Sequence, residues 1–316
     1  MVNKKVVCLG GGIGTVNLIK GFINHFDNIV VVVSMADNGG SSGRLRRLYN
    51  VPPPGDLVSC MAAVARNEII SKLLTYRFKG DRYGRDEVLF GQKLGNLVMI
   101  ALRDLTGSFD EAITLFQKIF DVKGVFLPAT VDDVNISART IEGKMIYGEE
   151  RIDLGKYRGK RILDKVYLHP RSAEANPMVL KNIKDADIVI AGPGDLYTTI
   201  LPVLIVEKIK VALIKSKAIK MFVVNVANKP FETKGYSAND YIVAIKKHLD
   251  CFPFDKVLVN TNFSPKIPNI YRYQYVDINH VGDSNGIKII KRDIIDENFP
   301  LYHSSVKLAK TILQNI

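Results

Sequence analysis

Short apolar runs alternate with segments of helical period along most of the chain. Residues 6–9 form such a run and end in glycines. Val16, Ile19, Phe22 and Ile23 then fall on one helical face, and residues 29–35 are nearly all β-branched, as a central parallel strand is. Residues 5–35 therefore read as a βαβ unit, the opening of a doubly wound sheet. Residues 57–65 and 94–105 read as helices. Ser108 with Glu111 reads as a capping box for a helix reaching Phe120. Residues 134–141 and 144–147, split by Glu142-Gly143, predict a hairpin, and 162–168 a strand. The pattern then returns: strand 187–191, a Gly192-Pro193-Gly194 turn, helix 201–209, strand 221–226, helix 241–249, strands 256–259 and 286–290, and helix 305–313. No linker or low-complexity segment divides the chain. The expected fold is one α/β, Rossmann-like, doubly wound and mostly parallel sheet over residues 1–316, with a helical and hairpin insertion near 60–160.

The chemistry gathers where strands end. In CLGGGIGTVNL (residues 8–18) the glycines follow a strand directly, so the backbone can turn tightly and the next helix can point its N–H groups at a phosphate. Gly11, Gly12 and Gly14 are the candidate binding positions, and Thr15 would cap the helix or donate to the phosphate. The spacing is not a strict dinucleotide fingerprint, because Thr15 holds its last glycine position, and no GxxxxGK[ST] motif occurs. The stretch VSMADNGGSSGRLRRLYNVPPPGD (residues 33–56) follows the second strand. Asp37 stands where an acidic residue meets a ribose in dinucleotide folds. Gly39 and Gly40 free the backbone, Ser41 and Ser42 supply hydroxyls, and Arg44, Arg46 and Arg47 can neutralise phosphate or carboxylate. Asp56 reads as the N-cap of the following helix or, with Asp37, as a Mg²⁺ ligand on a pyrophosphate.

Further along, AGPGDLYTTILPVL (residues 191–204) repeats the first motif, with Gly192, Gly194, Asp195, Leu196 and Tyr197 at its mouth. Two such mouths at neighbouring strand ends would form a crevice at the switch point of the sheet. In GQKLGNL (residues 91–97), Asn96 would cap a helix or reach a ligand. In NVANKPFETKGYSANDY (residues 225–241), Asn225 and Asn228 would face the same crevice. The five histidines (25, 169, 248, 280 and 303) lie outside these motifs, and no nucleophile triad is readable.

Composition narrows the classes. The chain is 47% hydrophobic and 24% charged, ordinary for a globular protein with a core. No apolar run approaches the ~20 residues that span a bilayer, no signal peptide is expected ahead of the first strand, and the three cysteines follow no metal or redox spacing. These features predict a cytoplasmic protein. The formal net charge is +12, with 44 Lys+Arg against 32 Asp+Glu. The densest basic cluster, residues 208–220, reads as the solvated face of a helical segment. No zinc-finger spacing, aromatic RNA-binding signature or heptad array points to nucleic acid.

Taken together and in this order, ADNGGSSGRLR…PPGD, LGNL, GPGDLYTTILP and ETKGY resemble the gluconeogenesis factor YvcK family, which is related to the CofD phospholactate transferases. The resemblance runs from Gly10 to about Tyr241. It implies a Rossmann-like domain with the nucleotide part of a ligand in the crevice. YvcK-like proteins bind UDP-sugars, notably UDP-N-acetylglucosamine, and link carbon metabolism to cell-wall precursor supply. CofD-like proteins move a phospholactyl group from a guanosine diphosphate carrier onto a deazaflavin. The chain departs from the family pattern in three places: Ile13 replaces a threonine, Asn38 replaces the second of two aspartates, and Gly-His-Ser-Leu-Gly-Asn has become Gly91-Gln92-Lys93-Leu94-Gly95-Asn96. Lys93 thereby adds a charge that can meet phosphate.

The leading expectation is a non-catalytic or weakly catalytic UDP-N-acetylglucosamine sensor, acting in gluconeogenic growth, cell-wall precursor synthesis and cell shape. It would signal through an unidentified regulatory or cell-wall-synthesis protein, and the helical insertion is a candidate homodimer interface. The loop after Asp37 would wrap the pyrophosphate of this ligand, and Asp37 or Asn38 would contact a ribose, a sugar hydroxyl or Mg²⁺. The alternatives are a nucleotide-diphosphate-dependent transferase in which Asp37 and Asp56 are catalytic, an NAD(P)-binding enzyme, and a nucleic-acid binder.

Overall fold

The computed structural model describes residues 2–79, 89–283 and 286–316. Strand β1 (Val2–Gly10), helix α1 (Gly12–Phe22) and strand β2 (Phe26–Val33) form the expected opening unit. Helices α2 (Gly40–Tyr49), α3 (Gly55–Ala63), α4 (Glu68–Thr75), α5 (Leu94–Thr106) and α6 (Phe109–Ile119) precede β3 (Val125–Pro128). The chain continues through β4 (Asn135–Thr140), β5 (Met145–Tyr147), α7 (Glu149–Asp153) and β6 (Leu163–His169). Helix α8 (Pro177–Lys184) leads to β7 (Ile188–Ala191), a π-helical turn (Leu196–Ile200), α9 (Leu201–Leu204), α10 (Glu207–Lys215) and β8 (Ile219–Val223). The last elements are β9 (Ala227–Asn228), α11 (Ala238–Leu249), β10 (Lys256–Asn260), β11 (Gln274–Tyr275), β12 (Lys288–Arg292) and α12 (Ser305–Leu313).

Among the described residues, seven strands make one sheet in the order β12-β10-β8-β7-β1-β2-β3. Every pairing in it is parallel. The chain winds outward from β1 to β3, returns to lay β7 against β1, and winds out the other way. The switch point is therefore the gap between β1 and β7, where Leu9 is in register with both Val32 and Ala191. A second sheet, β5-β4-β6, is antiparallel, and β9 pairs with β11.

Strand alternation sets the two faces of the main sheet. Val6, Cys8, Val31, Val33, Ile188 and Ile190 pack with residues of α1, α3, α5, α6 and α12. Val7, Leu9, Val30, Val32, Val189 and Ala191 pack with α8 to α11 and with Ile136, Ala138 and Val166 of the antiparallel sheet. With both faces covered, each buried Val, Ile or Leu contributes roughly 1.5–3 kcal/mol relative to exposure. Among the described residues, no helix is long and apolar enough to cross a membrane.

Several expectations change. The helical part of the 60–160 segment lies between β2 and β3 and its hairpin between β3 and β7, while residues 80–88 lie outside the described residues. The strand expected at 162–168 is present as β6, and it pairs antiparallel with β4, outside the parallel sheet. The stretch after Asp37 is not a wrapping loop but helix α2, because Leu45, Ser42, Gly43 and Arg46 bury one side of it. The helix expected at 201–209 breaks after Leu204, and α10 restarts from an extended Val206. Within the basic cluster, Lys208 pairs with Glu174 and Lys210 with Asp250. Asp56 is not an N-cap: Pro54 holds that position, and Asp56 sits in the first turn of α3.

Candidate functional site

The two glycine mouths meet at the switch point. Gly11 is the N-cap of α1, and its N–H donates to Thr15 Oγ1 at 2.8 Å. Thr15 is buried and turned inward, so it holds the turn and neither caps from the N-cap position nor faces the crevice. A Cβ at Gly14 would run into the Pro193 carbonyl and lie 3.1 Å from Gly194 N, so only glycine lets the mouths touch. Gly192 has φ 77°, the left-handed region that glycine tolerates. Gly194 N–H donates to Asn225 Oδ1 at 3.0 Å, which ties the second mouth to the end of β8.

Two adjoining cavities open on these mouths, of ≈ 360 Å³ and ≈ 480 Å³. They share Gly12, Ile13, Asp37, Asp56, Glu149 and Asp153, and so form one two-lobed crevice. The smaller lobe reaches Asp195, Asn225, Lys229, Tyr273 and Tyr302. The larger is bordered by Gly39, Gly40, Ser41, Ser42, Arg77 and Lys93. Helices α1 and α2 both start here, each from a glycine N-cap with no side-chain cap bond and no acidic residue in its first turn. Their first N–H groups and positive dipole ends thus favour an anion in the larger lobe. Lys93 is buried; its ammonium donates to Gly55 O at 3.1 Å and to Ser59 Oγ at 2.5 Å. Burial, and then Arg77, lower its pKa to about 8, against the attraction of Asp56. Arg77 donates to Ser41 Oγ at 3.2 Å and to Gly91 O at 2.9 Å.

Between the lobes lies a group of carboxylates. Asp37 accepts from Gly39 N at 2.9 Å and is hydrogen-bonded to Ser42 and Glu149. Two carboxyl groups in contact must share a proton or a cation. Burial, with the charges of Asp37 and Asp153, raises Glu149, and burial raises Asp37 in spite of its donors. Asp56, which also accepts from Gly12 N, is pushed up to about 7 by burial and then by Asp37. A second group, Asp153, Asp195 and Glu232, surrounds one cation, Lys229, which pairs with Asp195 at 2.7 Å, with Asp153, and with Glu232 at 3.8 Å. Burial opposes the charge of Lys229, but Asp195, Glu232 and Asp153 outweigh it and raise its pKa. Glu232 is fully buried and accepts from Tyr197 N at 3.0 Å and Thr198 Oγ1 at 2.6 Å, which holds the π-helical turn behind the second mouth.

Of the residues expected from sequence, Gly11, Gly12, Gly14, Asp37, Gly39, Gly40, Ser41, Ser42, Asp56, Lys93, Gly194, Asp195 and Asn225 line the crevice. Others line neither lobe. Asn38 Oδ1 accepts Glu150 N–H at 2.9 Å, so this side chain positions α7. Arg44 lies on α2, away from both lobes. Arg46 is buried and donates to Asp133 and to Val134 O, and Arg47 donates to Asn38 O at 3.2 Å. Asn96 is fully buried within α5, whose N-cap is Lys93. Gly192 sits against the Val223 carbonyl. Leu196 and Tyr197 are core, and the Tyr197 hydroxyl meets that of Tyr236 at 2.8 Å. Asn228 is buried against Tyr236 O and the Tyr241 hydroxyl and does not reach the crevice.

Sequence reasoning missed Arg77, Glu149, Asp153, Lys229, Glu232, Tyr273, Tyr302 and His303. Lys229 and Glu232 lie inside NVANKPFETKGY, so the motif was visible but its charged members were passed over. His303 borders the smaller lobe while its Nε2 contacts Val224 O at 3.0 Å, and burial lowers its pKa to about 4. Arg77 and Tyr302 carried no local signal.

The chain is similar over nearly its whole length to proteins of one family. A family model described as 2-phospho-L-lactate transferase CofD matches residues 6–299. The gluconeogenesis factor of Bacillus subtilis (strain 168) is 35% identical over 320 residues, covering 98% of this chain and 97% of that protein. The gluconeogenesis factor of Listeria innocua is 32% identical over 314 residues, covering 98% and 94%. The crystal structure of protein BH3568 from Bacillus halodurans superposes with a TM-score of 0.89 at 30% identity, over 99% of this chain and 100% of that one. With the strand order, the paired glycine mouths and these full-length matches together, the chain belongs to the CofD family, in its gluconeogenesis-factor branch.

Proposed function

We propose that the crevice binds a nucleoside diphosphate ligand, a UDP-sugar such as UDP-N-acetylglucosamine, and that the protein is a regulator linking gluconeogenic carbon metabolism to cell-wall precursor supply and cell shape. One observation carries the ligand class: two glycine-capped helix N-termini, of α1 and α2, open on a single lobe that also holds Arg77 and Lys93. The diphosphate would lie in the larger lobe, at the starts of α1 and α2 beside Arg77 and Lys93. The base and sugar would extend from there toward Asn225, Tyr273 and Tyr302 in the smaller lobe. Asp37 and Asp56, the first of which raises the proton affinity of the second, fit a Mg²⁺ that would offset charge on the diphosphate. A regulator of this kind would report its ligand to a partner protein in the cytoplasm.

The carboxylates favour a second reading, transfer of a phosphorylated 2-hydroxyacyl group from a nucleotide carrier. Asp56, titrating near neutrality, suits proton exchange with an acceptor hydroxyl. Calorimetric titration with UDP-N-acetylglucosamine, GDP and NAD, each with and without Mg²⁺, tests both. Selective micromolar binding of the UDP-sugar without turnover supports the regulator. Mg²⁺-dependent consumption of a nucleotide substrate supports the transferase. Preference for NAD, or no nucleotide binding at all, removes both readings.

A further inference from the structure

A third cavity, of ≈ 600 Å³, lies outside the crevice and has a different chemistry. Its lining includes four cationic side chains, Lys160, Arg161, Lys234 and Arg272, and no acidic one. Among the described residues none of the four takes part in an ion pair. The Glu142 carboxylate lies on the neighbouring turn, but it accepts the backbone N–H of Lys160 at 2.8 Å and does not line the cavity. The Arg161 guanidinium stands over the Phe231 ring, 4.9 Å from its centroid, which orients that charge at the cavity wall. Ile162, Pro230 and Phe231 supply an apolar surface beside the cations.

Four like charges around one concavity repel each other, and each lacks the carboxylate that answers Lys208, Lys210 and Lys229 elsewhere. An anion that enters relieves this repulsion. One negative charge would leave most of it, so the complement carries at least two. The apolar wall adds contact area for a carbon skeleton. We propose that this cavity is a second binding site, for a small organic polyanion bearing two or more phosphate or carboxylate charges. It backs onto the crevice: Pro230 and Phe231 follow Lys229, Arg272 and Gln274 flank Tyr273, and β9 pairs with β11 between them. Its occupancy does not depend on which nucleotide the crevice takes.

The chain has no tryptophan, so Ile162→Trp, at a half-exposed lining position, gives a single reporter. Titration with pyrophosphate and with citrate at constant ionic strength is expected to change its emission saturably. Binding should weaken at least tenfold when Lys234→Gln and Arg272→Gln are added, and stay unchanged with Asp37→Asn in the crevice. A response to pyrophosphate alone assigns a phosphorylated ligand, and one to citrate alone a polycarboxylate. A signal that survives the double substitution, or that disappears with Asp37→Asn, overturns the proposal. Calorimetry on the chain without the reporter covers the case in which the indole itself fills the cavity. There the double variant is expected to lose one binding event per chain, and identical isotherms for the two proteins overturn the site.

Discussion

Gly14 shows how little room separates the two halves of the crevice. Any Cβ there meets the Pro193 carbonyl. Gly14→Ala is therefore expected to push the mouths apart, lowering stability by about 1–3 kcal/mol and weakening nucleotide binding at least tenfold. Urea unfolding and calorimetry would measure the two effects, and a variant that binds as the parent does would show that the mouths need not touch. Lys229 is the other single residue on which the crevice depends. It is the cation for three carboxylates whose oxygens lie within 4.8 Å of one another. Lys229→Met leaves that charge buried and is expected to cost about 3 kcal/mol at pH 8. The loss should shrink at pH 5.5, where protons can replace the ammonium. Thermal unfolding at both pH values is the check; an equal loss at the two would make the role of Lys229 one of packing. The glycines were legible because strand, glycine and helix occur in that order in the sequence. Lys229 and its partners were not, because Asp153, Asp195 and Glu232 come from three distant segments and become neighbours only through the fold.

Helix α7 is five residues long, too short to persist on its own, yet it delivers Glu149 and Asp153 to both lobes. Asn38 holds its first turn through Glu150 N–H. Asn38→Ala is expected to cost about 1 kcal/mol and to weaken ligand binding although Asn38 touches neither lobe. Asn38→Asp keeps the acceptor, adds charge that suits a helix N-terminus, and should restore both properties. If Asn38→Ala binds ligand like the parent, α7 is positioned by other contacts. Legibility divides the same way among elements. The parallel strands could be read because β-branched runs buried on both faces leave a strong pattern. Residues 40–49 read as a loop because Gly-Ser-Ser-Gly-Arg has little apolar character, and only Leu45 and the neighbours it packs against make α2 worth forming. β6 carries an ordinary strand pattern, and nothing local in it says that it pairs with β4 outside the main sheet. Asp56 occupies a position that suits a cap by spacing, but the helix is capped two residues earlier, at Pro54, which frees the carboxylate to cross to Gly12.

Across the whole molecule, a chain of net charge +12 surrounds a crevice whose centre is acidic. The outer field would draw an anionic ligand in, while the centre asks for protons or a cation. That conflict is readable as the pH dependence of stability. Asp56, with a folded-state pKa of about 7, and Glu149 and Glu232, both raised, hold protons that the unfolded chain releases near pH 4. The folded state then binds more protons than the unfolded one, so stability falls as pH rises through their folded values. Buried His248 and His303, each lowered to about 4, give the opposite slope, but only below about pH 6.5. Lys93, lowered to about 8, also opposes it, from that pH upward. Between about pH 6.5 and 8 the carboxyl groups act alone. Unfolding free energy in Mg²⁺-free buffer is expected to fall there by about 2 kcal/mol for each proton retained throughout the interval, at roughly 1.4 kcal/mol per pH unit. Glu149→Gln should flatten the slope, and so should millimolar Mg²⁺ if a cation takes the place of the protons between Asp37 and Asp56. A flat or rising curve for the parent protein without Mg²⁺ would mean that the cluster is already neutralised by its own donors and lysines. The crevice would then hold its diphosphate through the helix N-termini, Arg77 and Lys93 alone.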